Sequence, residues 1–129
     1  MFSSQNTKSV VFSVAYDPGA DETWPLWRAP KACEITGVYV TVPNDVAAST
    51  ANYFDITLYN GGNAGTATTA LAAAVGGTAG WTGLTPKSGT VSEGTLAAGN
   101  VVTAKYDETG TATFTQITIQ LDYVDGVGA

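Results

Sequence analysis

The chain has 129 residues, of which 44% are hydrophobic and only 12% are charged, and its net charge is −6. This length predicts one domain that can bury a core without metals or disulfides. The basic residues are scattered and form no stripe for phosphates, so we expect no nucleic-acid binding: they are Lys8, Arg28, Lys31, Lys87 and Lys105.

The sequence also lacks the residue types on which common enzyme mechanisms depend. It contains no histidine, which excludes a Ser-His-Asp or Cys-His arrangement. Its single cysteine, Cys33, cannot form an intrachain disulfide, is expected to pack as a small hydrophobe, and suggests folding in a reducing cytosol. We expect no signal peptide and no membrane span. The sequence therefore predicts no enzymatic activity, no cofactor and no metal.

Apolar and polar residues alternate in short runs bounded by turns, which is typical of β-strands. In chain order the runs predict strands over residues 9–16, 22–28, 33–42, 52–59, 67–75, 91–96, 101–106 and 112–123. The alanines of 67–75 also favour a short helix, whereas the threonines and the following Gly76-Gly77 favour a strand. Residues 101–123 are predicted to form an antiparallel hairpin.

About eight strands separated by turns at intervals of about ten residues predict an all-β fold. We expect a single antiparallel β-sandwich of the jelly-roll type, because no helical segment is long enough to connect parallel strands. Residues 1–8 are predicted to form a flexible N-terminal arm, residues 9–124 the sandwich, and residues 125–129 a flexible C-terminal tail.

Two groups of side chains are candidate binding sites for small ligands. The turn acids Asp17, Asp21, Glu22, Asp107 and Glu108 offer oxygen ligands, but their spacing matches no known calcium loop and solvated acids explain them as well. The three tryptophans offer either a sugar-stacking platform or core packing: they are Trp24, Trp27 and Trp81. In a regular strand Trp24 and Trp27 would face opposite sides, and Pro25 between them can disturb that alternation.

Four segments of the chain carry a resemblance to a known family. They are residues 17–30 (DPGADETWPLWRAP), 32–40 (ACEITGVYV), 52–62 (NYFDITLYNGG) and 96–103 (LAAGNVVT). In this pattern of strands and turns the chain resembles the small jelly-roll proteins carried on tailed-bacteriophage virions, especially the capsid decoration, or cement, proteins. The resemblance covers residues 9–124 and rests on no catalytic signature.

The resemblance implies a homotrimer on the outer surface of an icosahedral head, assembled in the host cytoplasm. Its partner would be the major capsid protein, whose neighbouring subunits it would bridge to stabilise the expanded shell. The alternative is a jelly-roll module of a phage fibre or tail accessory protein that binds host glycans. A free carbohydrate-binding module is a further interpretation.

Residues with the chemistry of interface hot spots are concentrated near the start of the chain. Tryptophan and arginine are enriched in such hot spots. Pro25 removes a backbone donor, so the strand over 22–28 is predicted at a sheet edge, where it can be reached. We therefore expect the contacts with the capsid or within the trimer to include Phe2, Trp24, Leu26, Trp27 and Arg28.

Overall fold

Nine β-strands account for the secondary structure of the part of the chain that the computed structural model describes, residues 6–61 and 69–126. The strands are β1 (Lys8–Val14), β2 (Glu22–Arg28), β3 (Cys33–Thr41), β4 (Tyr53–Asn60), β5 (Thr69–Gly76), β6 (Lys87–Gly89), β7 (Thr95–Leu96), β8 (Val101–Thr109) and β9 (Ile117–Asp125). Within those residues there is no helix that is long and apolar enough to cross a membrane.

The strands form two antiparallel sheets with the strand order of a jelly roll. Sheet A has the order β1-β9-β3-β6, with the short β7 also paired to β3, and sheet B has the order β2-β8-β4-β5. Apart from β7, the first strand pairs with the last, the second with the next to last, and so on inward to β4 with β5. This is a long hairpin rolled into a two-layer sandwich, so the predicted all-β, jelly-roll-like sandwich is confirmed.

The core lies between the two sheets and is built by alternation along the long strands. The inward residues of β4 and β9 have no exposed surface: Phe54, Ile56, Leu58, Ile117, Ile119 and Leu121. β8, the neighbour of β4 in sheet B, contributes Val102, Ala104 and Tyr106 to the same core. Burying each large side chain stabilises the fold by roughly 1.5–3 kcal/mol. Cys33 is also fully buried, as a small hydrophobe would be.

The predicted hairpin over residues 101–123 is wrong. β8 belongs to sheet B and β9 to sheet A, and the connection between them crosses from one layer to the other. Two of its residues hold it against the core: Ala112 is buried, and the Phe114 ring lies 5.0 Å from the Phe54 ring. The strand predicted from residue 112 therefore begins only at Ile117.

Two other segments show how well local patterns place strands. The ambiguous region does form a strand, β5, over Thr69–Gly76. Of the strand predicted over residues 91–96, only Thr95–Leu96 forms a strand, β7. A short strand that was not predicted, β6, lies before it at Lys87–Gly89, and both pair with β3. Gly94 interrupts the segment between them, where an added Cβ would meet the carbonyl oxygen of Ile35.

The sandwich has two distinct ends. The loop end carries the connections 15–21, 42–52, 77–86 and 110–116, which bond to one another; for example, the amide of Gly83 donates to Asp45 Oδ1 at 2.7 Å. The terminal end carries the connection 29–32, the start of β1 and the end of β9. β1 begins at Lys8 and β9 ends at Asp125, one residue beyond the predicted sandwich on each side. The rest of the predicted arm and tail lies mostly outside the described residues.

Candidate protein-binding surface

A β-bulge in β2 decides where the residues of segment 22–28 point. Trp24 is opposite Ala104 and Trp27 is opposite Val102, and the register shifts between Pro25 and Trp27, so Leu26 is the extra residue. Since Ala104 and Val102 both face the core, both tryptophans lie on the inner face of β2. Trp24 and Trp27 therefore do not face opposite sides as they would in a regular strand, because the alternation is disturbed next to Pro25. β2 is the terminal strand of sheet B, as its proline predicted.

Trp24 is part of the core. Its exposed fraction is 7%, and its ring stacks on that of Tyr106 with the centroids 5.9 Å apart. The indole Nε1 donates to Glu22 Oε1 at 2.7 Å, and the hydroxyl of Tyr16 donates to the same oxygen. Trp24 therefore fixes the inner shape of β2 and offers very little area to a partner.

A cleft of ≈ 370 Å³ opens between the edge strands of the two sheets. It lies where β1 and β2, which are joined by the 15–21 connection, diverge at the side of the sandwich. Most of its lining is apolar or aromatic: Phe12, Ser13, Val14, Ala15, Tyr16, Trp24, Pro25 and Leu26. Because the bulge brings Leu26 to the cleft, the predicted contact residues Trp24 and Leu26 belong to the same surface.

Two further predicted contact residues, Trp27 and Arg28, lie at the terminal end of β2. Trp27 is half-buried, with its ring centroid 4.8 Å from that of Tyr123 on β9. Arg28 is exposed, and no carboxylate of residues 6–61 or 69–126 forms an ion pair with it. Phe2, the remaining predicted contact residue, lies outside the described residues. Trp27 and Arg28, neighbours in the chain, thus lie at the terminal end of β2, and both keep part of their surface accessible.

The three tryptophans do not form a shared exposed platform. Trp81 is buried at the loop end, where its ring stacks on Phe54 at a centroid distance of 5.2 Å. Lys87 Nζ lies 5.1 Å from the Trp81 ring, in a cation–π arrangement. Trp24 and Trp81 therefore follow the core-packing interpretation, whereas Trp27 is half-buried.

The acids near the loop end act as hydrogen-bond acceptors for the fold. Asp17 Oδ1 accepts from the amide of Gly19 at 2.9 Å, and Asp21 Oδ1 accepts from the amide of Glu108 at 2.9 Å. Glu108 in turn accepts from the Tyr106 hydroxyl at 2.7 Å. Burial, followed by this bond and the nearby acids, raises the pKa of Tyr106 well above its usual value. Over the described ranges, no group of three or more acids and cysteines is placed to hold a metal ion.

Sequence reasoning overlooked two exposed residues beside the cleft. Val11 is 58% exposed on the outer face of β1, and Tyr16 is 51% exposed where the chain leaves that strand. The alternation within β1 did contain the signal, since Val11 is an apolar residue at a position where Ser9 and Ser13 are polar. We name Val11, Phe12, Val14, Tyr16 and Leu26, with the cleft between them, the β1–β2 edge surface.

Comparison with known proteins yields little similarity. No protein-family model matches the chain, and no curated protein sequence matches it. Among solved structures, a chain from the structure of infectious bursal disease virus Gx strain is similar at 16% sequence identity and a TM-score of 0.41. That alignment covers 98% of this chain but only 35% of the viral chain. This protein therefore spans about a third of the length of the viral chain.

Proposed function

We propose that the protein is a non-enzymatic virion structural protein that binds the outer surface of an icosahedral phage head. Its partner in this proposal is the major capsid protein, as the resemblance to decoration proteins implies. The observation that carries the proposal is the pairing of a half-buried Trp27 with an exposed Arg28 at one end of a jelly-roll sandwich. The same end is where the chain enters β1, so an arm bearing Phe2 would start beside them.

Trp27 and Arg28 have complementary properties for docking on a protein. The Trp27 ring is already supported by Tyr123, so burying its exposed part costs little side-chain entropy. The Arg28 guanidinium can form two parallel hydrogen bonds with a carboxylate on the partner. Buried tryptophan and arginine are the anchors most often found at the centre of interfaces.

Decoration would stabilise the expanded shell by mass action. A protein that binds only the expanded state favours that state by an amount that grows with its free concentration. Bridging of neighbouring capsid subunits adds avidity, since a second contact forms at a high effective concentration. The resemblance implies assembly in the host cytoplasm and a homotrimer, and both stay predictions.

Co-sedimentation with undecorated, expanded capsids tests the proposal. We expect the native protein to pellet in a saturable ratio and Trp27→Ala or Arg28→Ala to weaken binding about tenfold, which corresponds to about 1.4 kcal/mol. Leu84→Ala is the matched control, since Leu84 is 77% exposed at the opposite, loop end. Circular dichroism checks that each variant is folded.

Two outcomes would contradict the assignment at different levels. If the native protein does not pellet with shells, the decoration function is wrong. If it pellets and the folded Arg28→Ala and Trp27→Ala variants bind with unchanged affinity, docking occurs elsewhere on the molecule and these residues are dropped as contacts.

A further inference from the structure

The outer edge of β1 is open. Within residues 6–61 and 69–126, β1 pairs with β9 on one side and with no strand on the other. Two other edge strands are protected against further pairing: β2 contains Pro25 and a bulge, and β6 has only three residues. β1 has seven residues, no proline and no bulge, so its edge can accept another strand.

The side chains of β1 are incompletely covered on both faces. Val10, Phe12 and Val14 face the core but are only half-buried, and the cleft lies beside Phe12 and Val14. On the outer face Val11 is 58% exposed. A strand added at this edge would cover Val11 from the side and close the cleft over Phe12 and Val14.

The sequence of β1 is symmetric about Val11. Ser9 and Ser13 are equally distant from it, as are Val10 and Phe12. We propose that a second copy of this chain pairs its β1 with this one, antiparallel and with the two-fold axis at Val11. In that register serine faces serine, valine faces phenylalanine, and the two copies of Val11 face each other, which is the self-complementarity that a two-fold interface requires.

The charges of residues 8–28 favour a second copy in this orientation. At the terminal end of this stretch lie Arg28 and Lys8, of which Lys8 forms an ion pair with Asp125 on β9. At the loop end it carries three acids, Asp17, Asp21 and Glu22. Residues 9–16 and 23–27, which connect the basic end with the acidic end, contain no charged side chain. Antiparallel pairing places the basic end of one copy beside the acidic end of the other, twice. A parallel arrangement around a three-fold axis would place like charges side by side.

The inference is independent of capsid binding, and it differs from the homotrimer that the resemblance implies. Pairing through β1 joins two copies of sheet A into one continuous sheet and brings the two clefts together. A pair has twice the 13.2 kDa mass of one chain, so solution mass separates it from a trimer.

Light scattering on the native protein and two lysine variants tests the pairing. We expect the native protein to approach twice the single-chain mass with rising concentration, and Val11→Lys to remain monomeric. The substitution places two lysines directly opposite each other at the proposed axis, and Val11 is exposed, so the fold of the single chain is preserved. Leu84→Lys changes an exposed apolar residue at the loop end, away from β1, and this variant is expected to keep the native mass.

A cysteine variant locates the axis directly. Cys33 is fully buried, so Val11→Cys introduces one reactive thiol per chain. We expect a short thiol-specific crosslinker to join two chains of Val11→Cys and not two chains of the control Leu84→Cys. A native protein that stays monomeric or forms trimers, a folded Val11→Lys variant with the native mass, or a Val11→Cys variant that does not crosslink overturns the pairing.

The two proposals fail in different experiments. A dimer that does not pellet with capsids removes the proposed function and leaves the β1 pairing intact. A monomer that pellets with capsids in a saturable ratio removes the pairing and leaves the function intact.

Discussion

Asp55 on β4 lies directly opposite Asp107 on β8, so two carboxylates face each other on the outer side of sheet B. Lys105 Nζ lies 3.3 Å from Asp107 Oδ1, which leaves Asp55 as the less compensated partner. Burial, and then the charge of Asp107, raises the pKa of Asp55 above its usual value of 3.8. This pair is a local cost to the stability of the sheet.

Asp55→Asn is expected to stabilise the protein at neutral pH by up to about 1 kcal/mol, because it removes one of two like charges at a cross-strand pair. The folded state holds the Asp55 proton more tightly than the unfolded state, so the free energy of unfolding falls as pH rises through the raised pKa. Urea unfolding between acidic and neutral pH should show that this fall is smaller in the variant. Glu93→Gln, which removes an exposed charge, is the control and should leave the fall unchanged.

Deletion of Leu26 is expected to destabilise the fold by roughly 1.5–3 kcal/mol, the value of burying one large side chain. Because Leu26 is the extra residue, its deletion makes β2 regular and leaves Trp27 opposite Val102 on the inner face and Arg28 opposite Val101. The urea midpoint should therefore fall while the tryptophan emission keeps its native wavelength. Leu26→Ala keeps the bulge and loses the same half-buried side chain, so its urea midpoint should fall by a similar amount. A red shift of the emission in the deletion variant alone would mean that Trp27 has turned outward.

Gly110→Ala is expected to cost at least about 2 kcal/mol, since Gly110 has a φ of 66° and an added Cβ would meet the carbonyl oxygen of Ala51. Gly19→Ala is the matched control: its φ is 70°, but nothing lies within 4 Å of an added Cβ. Thermal unfolding of both variants separates backbone strain from steric overlap. A loss as large in Gly19→Ala would show that the contact with Ala51 contributes nothing.

Cys33 is expected to be inert to thiol reagents in the folded protein. It is fully buried, and burial followed by the charge of Asp125 raises the pKa of its thiol, which lowers the thiolate fraction. Labelling should therefore proceed at the rate of unfolding and accelerate with urea. Fast labelling in the absence of denaturant would indicate that the end of the sandwich near Cys33 opens locally.

The strands themselves were predictable where one face is buried and the other is not. The alternation through Ile117, Ile119 and Leu121 places β9 correctly, because a shift of one residue would bury polar side chains. The strand at 22–28 was predicted with its observed bounds, since turn residues delimit it on both sides.

What the sequence did not predict depends on partners far away in the chain. No sequence pattern near residue 110 indicates that β8 and β9 join different sheets, because the connection between them is held in place by the packing of Phe114 on Phe54. The bulge at Leu26 exists only relative to its partner strand β8, so the shared face of Trp24 and Trp27 needed the register. The β1–β2 edge surface likewise follows from the meeting of two edge strands in different sheets.

The nested order of strand pairing also bears on how fast the molecule forms. β4 and β5 are neighbours in the chain, whereas Ser9 and its hydrogen-bond partner Asp122 are 113 residues apart. Closing such distant pairs costs loop entropy before any contact compensates, so refolding is expected on the slow, millisecond-to-second side for a domain of this size. During synthesis β1 has no strand to pair with until β9 has left the ribosome. Until then its Val-Val-Phe segment stays accessible to other nascent chains, so the risk of intermolecular strand pairing rises with the expression rate.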